Sequence, residues 1–165
     1  GGYDIIVNLQ GDAPLTPAWF VEDLVTGLTA APAAEIATPV LRCDGATLTG
    51  LLQDRKAGRV GGTTAVFGQD NQALYFSKEL LPFLPEPETP EPPVLHHVGV
   101  YAYRPGALDR YMGWDPGPLE TLEGLEQLRF LENGEDILCV EVEARGRSFW
   151  ELNNPVDIKR IEAVL

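Results

Sequence analysis

Residues 3 to 41 read as strand, loop, helix and strand, and that order leaves few folds open. Tyr3 to Leu9 is a nearly continuous apolar, β-rich run, the pattern of a strand buried on both faces of a parallel sheet. It breaks at Gln10-Gly11-Asp12-Ala13-Pro14. Pro17 then suits the first turn of a helix, with Thr16 as its N-cap. Phe20, Val21, Leu24, Val25 and Leu28 recur at helical spacing, and Ile36 to Leu41 reads as the next strand. This is a βαβ unit, so the class is α/β.

The rest of the chain alternates in the same way. Leu48 to Gly58 is weakly helical. Gly61 to Phe67 and Ala73 to Ser77 form two strands joined by a turn at Gly68-Gln69-Asp70-Asn71. Pro82 to Pro93 is proline-rich and reads as a solvated, mobile surface loop. Val94 to Tyr103 is a strand, Ala107 to Met112 a short helix, and Leu119 to Glu132 a longer one with Leu122, Leu125, Leu128 and Leu131 on one face and Gly134 as its stop. Ile137 to Glu143 is a further strand, and Pro155 to Leu165 a closing helix capped by Asn153 or Asn154. No repeat appears, and residues 1–165 read as one domain. The chain opens on Gly1-Gly2 without Met and runs at once into a strand, which predicts a fragment or the loss of an upstream part.

Charge narrows the partners. Twenty-five Asp and Glu oppose 12 Lys and Arg, a net charge of -13, which argues against nucleic acid and against an anionic membrane surface. At 44% hydrophobic content the chain can bury a core. Cys43 and Cys139 read as two buried thiols of a reducing, cytoplasmic compartment, not a disulfide framework or a zinc site. There is neither a secretory signal nor an apolar run long enough to span a bilayer.

Asp12 follows a strand, at the sheet edge where ligands gather in open α/β folds. A carboxylate there suits Mg²⁺ or a cap on the next helix. His96 and His97 point to opposite faces by strand alternation, so they cannot share a metal. Tyr101, four residues past His97, returns to its face. One imidazole and one phenol together suit a polyol or a carboxylate. Glu126 borders the apolar stripe of its helix and can turn inward with Gln127. Walker, GxGxxG, Ser-His-Asp and CxxC patterns are all absent.

Several segments together resemble the CMP-KDO synthetase (3-deoxy-manno-octulosonate cytidylyltransferase) family. They are Ile6-Val7-Asn8-Leu9-Gln10-Gly11-Asp12-Ala13-Pro14, Ala73-Leu74-Tyr75-Phe76-Ser77-Lys78, His97-Val98-Gly99-Val100-Tyr101-Ala102-Tyr103-Arg104, Pro118-Leu119-Glu120 with Leu125-Glu126-Gln127-Leu128-Arg129, and Asn153-Asn154-Pro155-Val156-Asp157-Ile158, in the family's order. The resemblance implies a Rossmann-like nucleotidyltransferase (glycosyltransferase A-like) three-layer sheet, N-terminally truncated. It implies transfer of CMP from CTP to KDO or a related sugar acid, with release of pyrophosphate, for lipopolysaccharide synthesis by a cytoplasmic homodimer. Asp12 would be catalytic and a Mg²⁺ ligand, with Asn153 as the second. Gln10, His97, Tyr101, Glu126 and Gln127 would contact the sugar.

Three departures from the family pattern sharpen these expectations. The basic, glycine-containing loop that grips CTP in the family has no counterpart here, so the chain alone is expected to be inactive. Asn153 replaces an aspartate, which predicts weaker Mg²⁺ binding. Ala13 replaces an acidic residue and Thr64 a common lysine, which fits a different sugar acid. The alternative is a diverged, non-catalytic homologue that binds a sugar acid or a partner chain.

Overall fold

A computed structural model of the chain describes residues 2–85 and 92–164. The elements in order are β1 (Ile6–Leu9), α1 (Ala18–Ala30), β2 (Ile36–Arg42), α2 (Gly45–Lys56), β3 (Thr64–Phe67), β4 (Ala73–Ser77), β5 (Leu95–His97), β6 (Val100–Tyr103), α3 (Pro105–Tyr111), α4 (Pro118–Glu123), α5 (Leu128–Glu132), β7 (Leu138–Val142) and α6 (Pro155–Glu162).

Among the described residues, seven strands form one mixed sheet. Its middle is a strand in two halves, β5 and β6. Both halves pair antiparallel with β2 along one edge. Along the other edge β3 pairs with β5, and β1 pairs with β6. The gap between the halves, at Val98 and Gly99, is therefore also where β1 and β3 diverge. β7 lies parallel to β2, and β4 closes a hairpin with β3. β1 and β2 run the same way, because both are antiparallel to β6, but β6 separates them.

Apolar cores cover both faces of the sheet. Phe20, Leu24 and Leu28 of α1 are fully buried on one face against Ala37, Leu41, Val100 and Ala102. Ile36, Val40, Tyr101 and Tyr103 turn to the other face, against Phe76, Leu128 and Phe130. Alternation along β2 and β6 divides the two cores, and helices close both sides.

Several expectations give way. β1 is an exposed edge strand in an antiparallel pair, not a strand buried in a parallel sheet. An apolar run looks the same at an edge as at a centre, and among the described residues only β6 lies beside it. Thr16 does not cap α1; Pro17 holds that position, and the Thr16 hydroxyl is buried without a hydrogen-bond partner among the described residues. α2 begins earlier than its apolar pattern, because Asp44 caps it by accepting the Thr47 N–H at 2.7 Å. The expected strand from Val94 to Tyr103 is interrupted, and the expected helix from Leu119 to Glu132 is two short ones. Gly124, in the left-handed region at φ 62°, ends α4. Leu122 is left 82% exposed, off the shared face. Half of the proline-rich stretch, residues 86–91, lies outside the described residues, so its reading as a mobile loop does too. Asn154, not Asn153, precedes α6, and its N–H donates to Asp157 at 2.7 Å. Both cysteines are free and buried, as expected.

Candidate active site

The fork between β1 and β3 opens into a cavity of about 310 Å³. Its wall brings together every residue to which the family resemblance gives a role: Gln10, Asp12, His97, Tyr101, Glu126, Gln127 and Asn153. Gln10 and Asp12 follow the end of β1. His97 ends β5 and Tyr101 lies in β6. Glu126 and Gln127 sit between α4 and α5, and Asn153 precedes α6.

Local chemistry explains how each is held. Two extra residues between β5 and β6 keep the parity of the strand, so His97 and Tyr101 still share a face, with ring centroids 5.5 Å apart. The Thr38 hydroxyl donates to the Val100 carbonyl at 2.9 Å and lies 3.0 Å from His97 Nε2. Its own proton is thus used, so Nε2–H donates to the Thr38 oxygen and Nδ1 is left as the acceptor of a neutral ring. Burial lowers the His97 pKa to about 4, against a smaller upward pull from Glu151. Burial also keeps Tyr101 a protonated phenol, with its pKa well above the ordinary value.

The Gly124–Gln127 turn is tied down from outside. Glu123 accepts from Ser77 Oγ at 2.7 Å and from the Lys78 N–H at 2.9 Å, which sets the turn beside Lys78. Glu126 accepts from Gln10 Nε2 at 3.1 Å across the cavity. Gln127 is 3% exposed, and its amide Nε2 has no hydrogen-bond partner among the described residues.

Asp12 does not cap α1. Its carbonyl accepts the Leu152 N–H at 2.7 Å, which fastens the Asp12 loop to the segment carrying Asn153. A carboxylate and an amide oxygen are hard donors and suit Mg²⁺. Among the described residues no cluster of three or more His, Cys, Asp or Glu is arranged to hold a metal. A magnesium held here would therefore be completed by water and phosphate oxygens, its usual habit.

The sequence reasoning missed Glu151, Lys78 and Thr63, which line the same cavity. Glu151 is two residues before Asn153 in a non-helical segment, with exposed Leu152 between, and that period of two was the available signal. Burial would raise the Glu151 pKa, but His96 and His97 beside it and the Gly99 N–H outweigh this and lower it.

The chain and its fold have counterparts among known proteins. A 3-deoxy-manno-octulosonate cytidylyltransferase of Maricaulis maris is 40% identical over 98% of this chain and 62% of its own length. One from Chlamydia pneumoniae is 39% identical over 96% of this chain and 57% of its own length. A solved structure of CMP:2-keto-3-deoxy-manno-octonic acid synthetase complexed with CTP superposes with a TM-score of 0.75 at 30% identity, over 97% of this chain and 61% of that one. The chain thus spans about three fifths of the length of these relatives. The cytidylyltransferase family profile matches residues 2–137, most of the chain, and this protein belongs to that family.

Proposed function

We propose that this chain forms the sugar-acid side of an enzyme that transfers CMP from CTP to KDO or a related sugar acid. The observation that carries the reading is the one cavity in which all seven expected residues meet. The names of the relatives support the reaction, and they share these residues' fold.

In this reaction a sugar hydroxyl attacks the α-phosphorus of CTP. The new O–P bond forms as the bond to the β-phosphate oxygen breaks, pyrophosphate leaves and the hydroxyl proton passes to solvent. Magnesium, when bound, neutralises charge developing on the phosphates; Asp12 and Asn153 would hold it. The chain's own groups do the positioning. His97 presents a neutral acceptor, Tyr101 a phenol donor, Gln127 an amide donor, and Gln10 is steadied by Glu126. Lys78 supplies positive charge beside the Gly124 turn and suits the substrate's carboxylate. A polyhydroxylated acid needs this mixture of donors and acceptors. We place the enzyme in the cytoplasm as a homodimer serving lipopolysaccharide synthesis.

The test measures pyrophosphate release from CTP, Mg²⁺ and KDO, with the chain as given and with any sequence preceding it in its gene. Release that Asp12→Ala abolishes supports the reading; release that survives Asp12→Ala removes Asp12 from the metal site. One observation favours a second reading, a non-catalytic sugar-acid binder: Asn153 brings no charge to the metal position. Saturable sugar binding without any CMP-sugar product at any Mg²⁺ concentration would establish it.

A further inference from the structure

β2 meets β5 and β6 in two different registers. Val40 lies opposite His97, but Ala37 lies opposite Ala102, so Thr38 and Pro39 face the four residues from Val98 to Tyr101. Two residues are left over and the strand buckles there. Pro39 has no N–H to contribute to a ladder. The Gly99 N–H leaves the strand pairing and donates to Glu151 Oε1 at 2.9 Å. Gln10 closes the other side: a Cβ added to Gly99 would stand 2.8 Å from Gln10 Oε1 and 3.2 Å from Glu151 Oε1. Glu151 is 8% exposed, and its second oxygen lies 3.9 Å from His96 Nε2. His96 is itself buried and makes no hydrogen bond among the described residues.

From this geometry we infer that Glu151 is a positioning residue. It pins the Val98–Gly99 bulge through the Gly99 N–H, and the bulge sets Gln10 on one side and the His97–Tyr101 pair on the other at the spacing of the cavity. What the positioning serves rests on the sugar-acid reading above; the pinning itself does not. The role needs an acceptor oxygen at the right reach. An amide oxygen supplies that as well as a carboxylate does, whereas a residue that paired with a cationic substrate group would need the charge.

The experiment compares Glu151→Gln with Glu151→Ala. Amide hydrogen exchange at Gly99, followed by NMR, should speed up about tenfold or more in Glu151→Ala and stay within about threefold of wild type in Glu151→Gln. In the pyrophosphate assay Glu151→Ala should raise KM for KDO about tenfold, leaving kcat and KM for CTP near wild type, and Glu151→Gln should restore it. If Glu151→Ala does not fold, Glu151→Asp takes its place. It keeps the charge but withdraws the oxygen, so it should reproduce the faster exchange. The inference is overturned if Glu151→Gln loses as much as Glu151→Ala, or if Gly99 exchange is unmoved in the variants that lose the acceptor. If wild type carrying any sequence that precedes it in its gene releases no pyrophosphate, the cytidylyltransferase reading fails alone, and the exchange result still decides the positioning.

Discussion

Lowering the pH should destabilise this protein through His97 before its carboxylates are reached. The ring is 4% exposed and packed against Phe76, at 5.0 Å, and Tyr101. Burial lowers its folded pKa to about 4, against about 6.5 for a free histidine. The folded state thus favours the neutral ring. Between these two values the unfolded chain binds a proton that the folded chain refuses, so stability falls as pH falls through that window. The full span is worth about 3 kcal/mol, and the step from pH 7.5 to 5 about 2 kcal/mol. That is a large share of a typical domain's stability. Urea midpoints measured at both pH values should differ by about 1 M, given a typical slope for a domain of this size. The control is His97→Gln, which cannot titrate. Its stability should fall by about 2 kcal/mol less over the same step. An equal pH dependence in wild type and His97→Gln would refute the argument.

Three other outcomes follow from particular contacts. Asp54 is fully buried and accepts from Arg59 at 2.7 Å and Arg160 at 2.6 Å. Asp54→Ala should lower unfolding stability at pH 7 by about 3 kcal/mol, because two guanidinium groups lose their shared anion. Arg160 and, less strongly, Arg59 lower the Asp54 pKa; the gap to wild type should therefore narrow as pH falls below about 4. Gly99→Ala places a methyl against the movable ends of Gln10 and Glu151, so its stability loss should be under about 1 kcal/mol in urea, whereas KM for the sugar acid should rise as the Gln10–Glu126 bond is displaced. Asn153→Asp should lower the Mg²⁺ concentration that gives half-maximal pyrophosphate release, since a carboxylate adds charge to the site.

Much of the site was visible along the chain because its chemistry is local. Gln10 and Asp12 stand in a loop after an apolar run. His97 and Tyr101 keep their common face by parity, which survives the two-residue bulge. The spacing places Glu126 and Gln127 on the border of one long helix, but the fold has two short ones there. They reach the cavity from the turn after α4, where Gly124 has already stopped the helix. The two residues thus reach the cavity from a different element than the spacing indicates, because an apolar period of three or four looks alike in one helix and in two short ones. Glu151 was missed for another reason. Its partner, the Gly99 N–H, is freed only by a register change, which no spacing along one strand reveals.

Short-range signals in the sequence settled what depends on neighbours along the chain: the α/β class, the buried face of α1, the two buried thiols and the faces of the histidines. Pairing across distant segments decided the rest. Whether β1 is edge or centre, how β5 and β6 split, and which carboxylate meets Gly99 depend on contacts between residues far apart in the chain. Such contacts form where backbone groups find partners and apolar faces are covered, and these are properties of the assembled sheet.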